Sequence, residues 1–190
     1  MKRLFCAVKV KPAQQIRDII YTFREALQDE KINWVSPDNL HLTLKFFGDT
    51  PQQKEASITE ALHRAAACCP PFSFQVAGCS IFGNTRMPSV LWLGIREAEG
   101  LHRLYDCVNE ELRPLGYEPD RALYVPHLTI GRIKHLENRH RLNELLAEHE
   151  HMKPDQQDVR AFYLFQSILR PQGPEYKILE TFEPGEGHRA

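Results

Sequence analysis

No charge of one sign dominates this 190-residue chain: 24 Lys and Arg stand against 25 Asp and Glu, for a formal net charge of -1. A balance that close projects no global field to collect a polyanion. Binding along duplex nucleic acid is therefore disfavoured, and a nucleic-acid ligand must meet a local basic patch or be recognised at a short end. Long hydrophobic runs are missing too. The apolar run Leu4–Val8 after Met1-Lys2-Arg3 is too short for a secretory leader, and no stretch is long enough to span a bilayer, so a cytoplasmic protein with no membrane partner is expected. The five cysteines are odd in number and include no Cys-x-x-Cys pair, which points to reduced thiols rather than a disulfide scaffold. His63, Cys68 and Cys69 lie close in sequence but at a helix end and without converging ligands, so neither a metal nor any other cofactor is expected. No shift of composition marks a linker and no heptads call for a partner. Residues 1–190 read as one domain, monomeric, with no obligate protein partner.

What is present is a repeat. Asn39-Leu40-His41-Leu42-Thr43-Leu44-Lys45-Phe46 recurs in pattern as Val125-Pro126-His127-Leu128-Thr129-Ile130-Gly131-Arg132. In each copy apolar residues alternate with His and Thr, the period of a strand buried on one face. His41 and Thr43, like His127 and Thr129, then share one face, while Leu42, Leu44, Leu128 and Ile130 point into a core. A single His-x-Thr is an ordinary feature of a half-buried strand. Restoring the same polar residues in the same order is not, because structural repeats keep pattern rather than polar identity unless a ligand is shared.

The remaining elements follow from periodicity. Arg3–Val10 reads as a central strand, and Ile16, Ile19, Ile20, Phe23 and Leu27 recur at helical spacing. Trp34–Asn39 is a short strand and turn before the first motif strand, which is expected to stop at Gly48. A helix capped near Thr50-Pro51 carries Ile58, Leu62 and Ala65 inward. Phe72–Phe82 and Ser89–Ile95 form a hairpin across Asn84-Thr85-Arg86-Met87-Pro88. A helix through Leu101–Leu112, the second motif strand, a helix over Asn138–His149, and a hairpin of Asp158–Leu169 with Glu175–Phe182 around Pro171-Gln172-Gly173-Pro174 complete the chain. The glycine-rich tail, with His188, is expected to be loose. Strand, helix, motif strand, helix and paired strands thus occur twice. This is an α+β architecture: a bilobal pseudo-twofold sandwich of two mixed, mainly antiparallel sheets, helices outside and a groove between the two motif strands.

Two imidazoles facing each other suit in-line displacement at phosphorus near neutral pH. One neutral ring takes a proton from the attacking oxygen, one imidazolium protonates the leaving oxygen, and the threonine hydroxyls hold the non-bridging oxygens without a metal. The tetrapeptides His41–Leu44 and His127–Ile130 resemble the paired signature of the 2H phosphoesterases. Within them the chain resembles the RNA 2',3'-cyclic phosphodiesterases, also called 2'-5' RNA ligases. Arg3–Val8, Asn39–Gly48, Phe82-Gly83, Val90–Gly94, Pro126–Arg132, Leu164–Ser167 and Tyr176 carry that resemblance. It implies opening of a ribose 2',3'-cyclic phosphate on an RNA end or nucleotide to a 2'-phosphomonoester. It also implies His41 as the acid toward O3', His127 as the base toward water, and Thr43 and Thr129 as phosphate ligands. Ser167 and Tyr176 enter as substrate contacts through the resemblance alone.

The flanks differ between copies. Lys45, four residues after His41, is expected on its face, where an ammonium would offset phosphate charge or stand solvated at the strand end. Arg132, at an odd offset from His127, points outward to an ion pair unless a bulge at Gly131 turns it to the substrate. Phe5 and Phe165 either stack a base or belong to the core. Two competing readings stand beside hydrolysis: the same chemistry run as 2'-5' ligation, and an RNA- or nucleotide-binding module whose histidines only hold phosphate.

Overall fold

A computed structural model describes residues 1–84, 86–119, 122–171 and 173–185. Thr85, Gln172 and His188, named above in turns and tail, lie outside the described residues. Among the described residues nine strands and four α-helices follow in the order β1 (Lys2–Lys9), α1 (Gln14–Ala26), β2 (Lys31–Trp34), β3 (His41–Thr50), α2 (Glu55–Ala67), β4 (Phe72–Asn84), β5 (Met87–Arg96), α3 (Glu99–Leu112), β6 (His127–His135), α4 (Arg139–His149), β7 (Asp155–Val159), β8 (Phe162–Arg170) and β9 (Gly173–Phe182).

The strands form two sheets, β3-β1-β8-β9 and β2-β6-β5-β4-β7, and every pairing is antiparallel. The duplication is visible in their order. Motif strand, partner, third and fourth strand run β3, β1, β8, β9 in one sheet and β6, β5, β4, β7 in the other. Residues of both sheets and all four helices pack into one continuous hydrophobic core. A second, small cluster of Phe5, Ala7 and Phe165, backed by Tyr163 and Tyr176, lies on the opposite face of β1. Side-chain alternation explains the split: Leu4, Cys6 and Val8 enter the main core while Phe5 and Ala7 face the groove.

Leu42, Leu44, Leu128 and Ile130 are essentially fully buried. At about 1.5–3 kcal/mol for each buried aliphatic chain, a one-residue slip of either motif strand would forfeit more than typical side chains recover. Parity is thereby locked, and His41, Thr43, His127 and Thr129 are left half-buried on the other face.

Several expectations need correction. Asp158–Leu169 is two strands: β7 pairs with β4 in one sheet, and after Arg160-Ala161 the chain crosses to pair as β8 with β1 and β9 in the other. The first motif strand does not stop at Gly48, which takes φ 69 inside β3 and lets the strand run on to Thr50. Thr50 does not cap a helix; its hydroxyl donates back to the Gly48 carbonyl. A short 3-10 turn, Gln52–Lys54, precedes α2. The tail is partly fastened, since Phe182 is buried and the Gly185 N–H donates to the Ala66 carbonyl.

Candidate active site

β3 and β6 approach each other across the interval between the sheets, and Thr43 of one strand and His127 of the other line one cleft. Each strand carries the same irregularity. In β3, Thr43 pairs with Ala7 and Lys45 with Cys6, leaving Leu44 as the extra residue; in β6, Thr129 pairs with Trp92 and Gly131 with Leu91, leaving Ile130 extra. A β-bulge reverses the parity beyond it. The first six residues of both strands consequently share one exposure pattern: half-buried His and Thr, buried residues at the second, fourth and fifth positions, and an exposed sixth.

That reversal corrects the expected placement of Lys45. Its side chain is 5 % exposed, and its ammonium donates to the Glu118 carbonyl rather than standing on the His41 face. It still borders the cleft on the Thr43 side. The sixth positions, Phe46 and Arg132, take the groove face instead. Arg132 lines a cleft of about 450 Å³ together with Arg3, Phe5, His41, Phe46, Ser167 and Tyr176. Of the two orientations open to Arg132, the bulge beside Gly131 produces the inward one. A second cleft of about 420 Å³ is bordered by Thr43, Phe46, Phe82, Tyr124 and His127, and Phe46 is the wall the two share.

Both imidazoles are held alike. His41 Nδ1 lies 2.6 Å from the Asn39 carbonyl and His127 Nδ1 lies 2.8 Å from the Val125 carbonyl, in each case the residue two before. A carbonyl only accepts, so Nδ1 carries the proton and Nε2 is the atom left for chemistry. Aromatic rings pack around each imidazole. Phe5 lies 5.0 Å from His41 and Tyr176 meets it edge-on at 5.2 Å; Phe82 meets His127 edge-on at 4.6 Å, with Trp92 at 6.1 Å. Phe165 stacks on Phe5 at 5.0 Å, and Ser167 pairs in register with Tyr176.

Electrostatics follow from that packing. Burial among rings pushes both imidazole pKa values below the ordinary 6.5, the carbonyl hydrogen bonds oppose the shift, and the Arg132 guanidinium adds to it. The charge of His127 lowers His41 further, as the smallest of these effects. Among the described residues no group of three or more His, Cys, Asp or Glu converges as a metal site.

Residues 8–167 match the family model of the 2'-5' RNA ligase superfamily. The chain belongs to this superfamily. A Methanothermobacter thermautotrophicus protein named RNA 2',3'-cyclic phosphodiesterase is 35% identical over 95% of this chain and 97% of its own length. One from Archaeoglobus fulgidus with the same name is 34% identical over 95% and 99%. Among solved structures, a Thermus thermophilus protein superposes with TM-score 0.75 at 27% identity, covering 98% of this chain and all of that one. The E. coli LigT structure complexed with 3'-AMP superposes with TM-score 0.73 at 24% identity, over 96% and 97%, and supports the fold.

Sequence reasoning missed Phe46, Phe82 and Tyr124 as groove walls. Phe82 had a signal. It pairs with Val90 as Phe165 pairs with Phe5, so the duplication that singled out the histidines places Phe82 beside the second one. Phe46 needed the bulge, for which β3 offers no glycine at the position equivalent to Gly131.

Proposed function

We propose that this chain hydrolyses ribose 2',3'-cyclic phosphates at RNA ends, leaving a 2'-phosphomonoester. The observation carrying the reading is the pair of imidazoles on the two motif strands, each bonded through Nδ1 to the carbonyl two residues before it, which leaves Nε2 for chemistry. The shared name of relatives that span nearly the whole chain supports the same substrate.

Water attacks phosphorus as His127 Nε2 takes its proton. The P–O3' bond breaks in line, and O3' leaves with the proton from His41 Nε2, so the rings exchange protonation states and reset through solvent. The clamps are alike, and the direction of this assignment follows the family resemblance. The Thr43 and Thr129 hydroxyls donate to the non-bridging oxygens, and Arg132 offsets the phosphate charge. Phe5, Phe165, Ser167 and Tyr176 bound the nucleoside end, with Lys45 supporting the Thr43 wall. The chemistry asks for no metal or cofactor. The protein is read as one two-lobed domain over 1–190, acting as a monomer in the cytoplasm.

A second reading has its own observation. The cleft of about 420 Å³ on the His127 side has room for a nucleoside, whose 5'-hydroxyl would replace water and run the step as 2'-5' ligation. Incubating the protein with a cyclic-phosphate-ended oligonucleotide in excess EDTA, and locating the phosphate on the product, tests both. A 2'-phosphate end is expected. Tight binding without cleavage would make the protein a binding module. Cleavage by His41→Ala or His127→Ala at near-full rate would refute the two-imidazole mechanism.

A further inference from the structure

The two imidazole clamps look alike at the nitrogen and differ in what holds the carbonyl. On the first side the backbone is tied by hydrogen bonds: Asn39 N–H to the Ser36 carbonyl at 2.8 Å, Val10 N–H to the Leu40 carbonyl at 3.0 Å, and the Asn39 amide to the Pro174 carbonyl of β9 at 3.0 Å. On the second side, among the described residues, no backbone–backbone hydrogen bond holds 122–126. Yet the Val125 carbonyl must stay fixed for His127 to keep its tautomer.

Two features of that segment supply the constraint. Pro126 restricts the Val125 backbone to extended conformations, which narrows the directions its carbonyl takes. Tyr124, the residue before Val125, stacks on Tyr105 of α3 at 3.9 Å and 5° between planes, with His102 edge-on at 5.6 Å. Tyr105 is 9 % exposed and Leu101, Leu104 and Val108 around it are fully buried, so the lower ring of the stack is part of the core. Among the described residues the buried Tyr124 hydroxyl has no hydrogen-bond partner. The contacts the structure shows for Tyr124 in this stack are made by its ring.

We propose that Tyr105 and Tyr124 are positioning residues for His127: their stack anchors the Val125 carbonyl, which keeps the proton on Nδ1 and leaves Nε2 free to accept one. The proposal rests on the reading of His127 as proton acceptor, and its consequence for the ring is measurable without turnover. In solution a neutral imidazole favours the proton on Nε2, the wrong tautomer for a base acting through that atom. Without the stack His127 reverts toward it, and kcat falls roughly 10- to 100-fold with KM nearly unchanged.

Nitrogen-15 NMR of the imidazoles, in the full chain above both histidine pKa values, decides it. Wild type is expected to show His41 and His127 both protonated on Nδ1. Tyr105→Leu and Tyr124→Leu are expected to shift His127 toward the Nε2–H form while His41, held by separate bonds, stays as it is. Tyr105→Phe and Tyr124→Phe, which keep the stack, are expected to restore the wild-type spectrum at His127. His127 retaining its tautomer in both leucine variants overturns the proposal. Loss at His41 and His127 together also overturns it, by assigning the effect to general loosening. If wild type proves inactive on cyclic phosphates but the tautomer shifts as described, the positioning role stands and the assigned reaction falls.

Discussion

Replacing Phe5 with alanine separates what the aromatic floor does for stability from what it does for His41. The ring is 3 % exposed and touches His41, Phe165 and Tyr176, each at a centroid distance of 5.0 Å. Truncating a buried Phe costs about 3–5 kcal/mol in a closed core. Here the neighbours border an open cleft that water enters, so about 3 kcal/mol applies, and for a chain of this size the melting temperature should drop by about 6–12 °C. The chemical effect has a fixed sign. Burial is the largest cause lowering the His41 pKa, so hydrating that wall must move it up toward 6.5. Proton NMR titration of His41 reads this directly. In the pH profile of kcat/KM, one limb should move to higher pH while the limb governed by His127 stays. A lowered melting temperature with an unmoved His41 titration would show that the rings do not set the imidazole's protonation.

Both histidine pKa values lie below 6.5, so the wild-type kcat/KM bell should peak on the acid side of pH 6.5, whereas kcat, read with the phosphate anion bound, should peak higher; a kcat/KM maximum above 6.5 contradicts the electrostatics. Arg132→Gln removes a cation that depresses both rings, so both titrations should rise, and KM should increase about tenfold through loss of a charge-assisted contact. Unchanged KM would return Arg132 to the outer face. Thr129→Val should lower kcat about 10²–10³-fold at similar stability, the cost of one donor to a developing charge; a loss below tenfold would remove that hydroxyl from the transition state. Gly94→Ala places a methyl 2.5 Å from the Ala77 carbonyl and must push β5 away from β4. Since Gly94 is the cross-strand partner of His127, both melting temperature and turnover should fall, stability by about 1–3 kcal/mol. Normal turnover in that variant would show that the β5 register does not set His127.

Legibility in the sequence followed the period of two and ended where that period breaks. From His41 to Thr43 and His127 to Thr129, alternation alone selects the groove face, because the aliphatic partners have nowhere to go but the core. One residue later both strands bulge, and counting by twos then assigns Lys45 to the face that Phe46 occupies. Only Gly131 hinted at the break, and its smallness has a second cause: a methyl there would lie 3.0–3.3 Å from Ile32 and Trp34 of the neighbouring strand β2. Pairing of β2 with β6 rather than β3 is a tertiary choice that its four residues do not encode locally. The same holds for the split of Asp158–Leu169, where nothing as loud as Gly or Pro punctuates Arg160-Ala161.

The two copies also show which features the chemistry needs twice. His, Thr, the bulge after them and the carbonyl two residues before are shared, and together they determine where Nε2 points and which tautomer it carries. The means of holding that carbonyl are not shared, amide and backbone hydrogen bonds on one side against a tyrosine stack and a proline on the other. A duplicated fold that repeats the geometry at the nitrogen while replacing its supports is best explained by a demand made at the nitrogen. A packing requirement would have kept the supports and let the polar atoms drift. Exchanging the supports is therefore the sharpest perturbation of this site: Asn39→Ala, which removes the amide bond to Pro174, should loosen His41 and leave His127 unchanged, the mirror of Tyr124→Leu. If either substitution disturbed both rings equally, the clamps would be one coupled structure rather than two independent solutions to the same requirement.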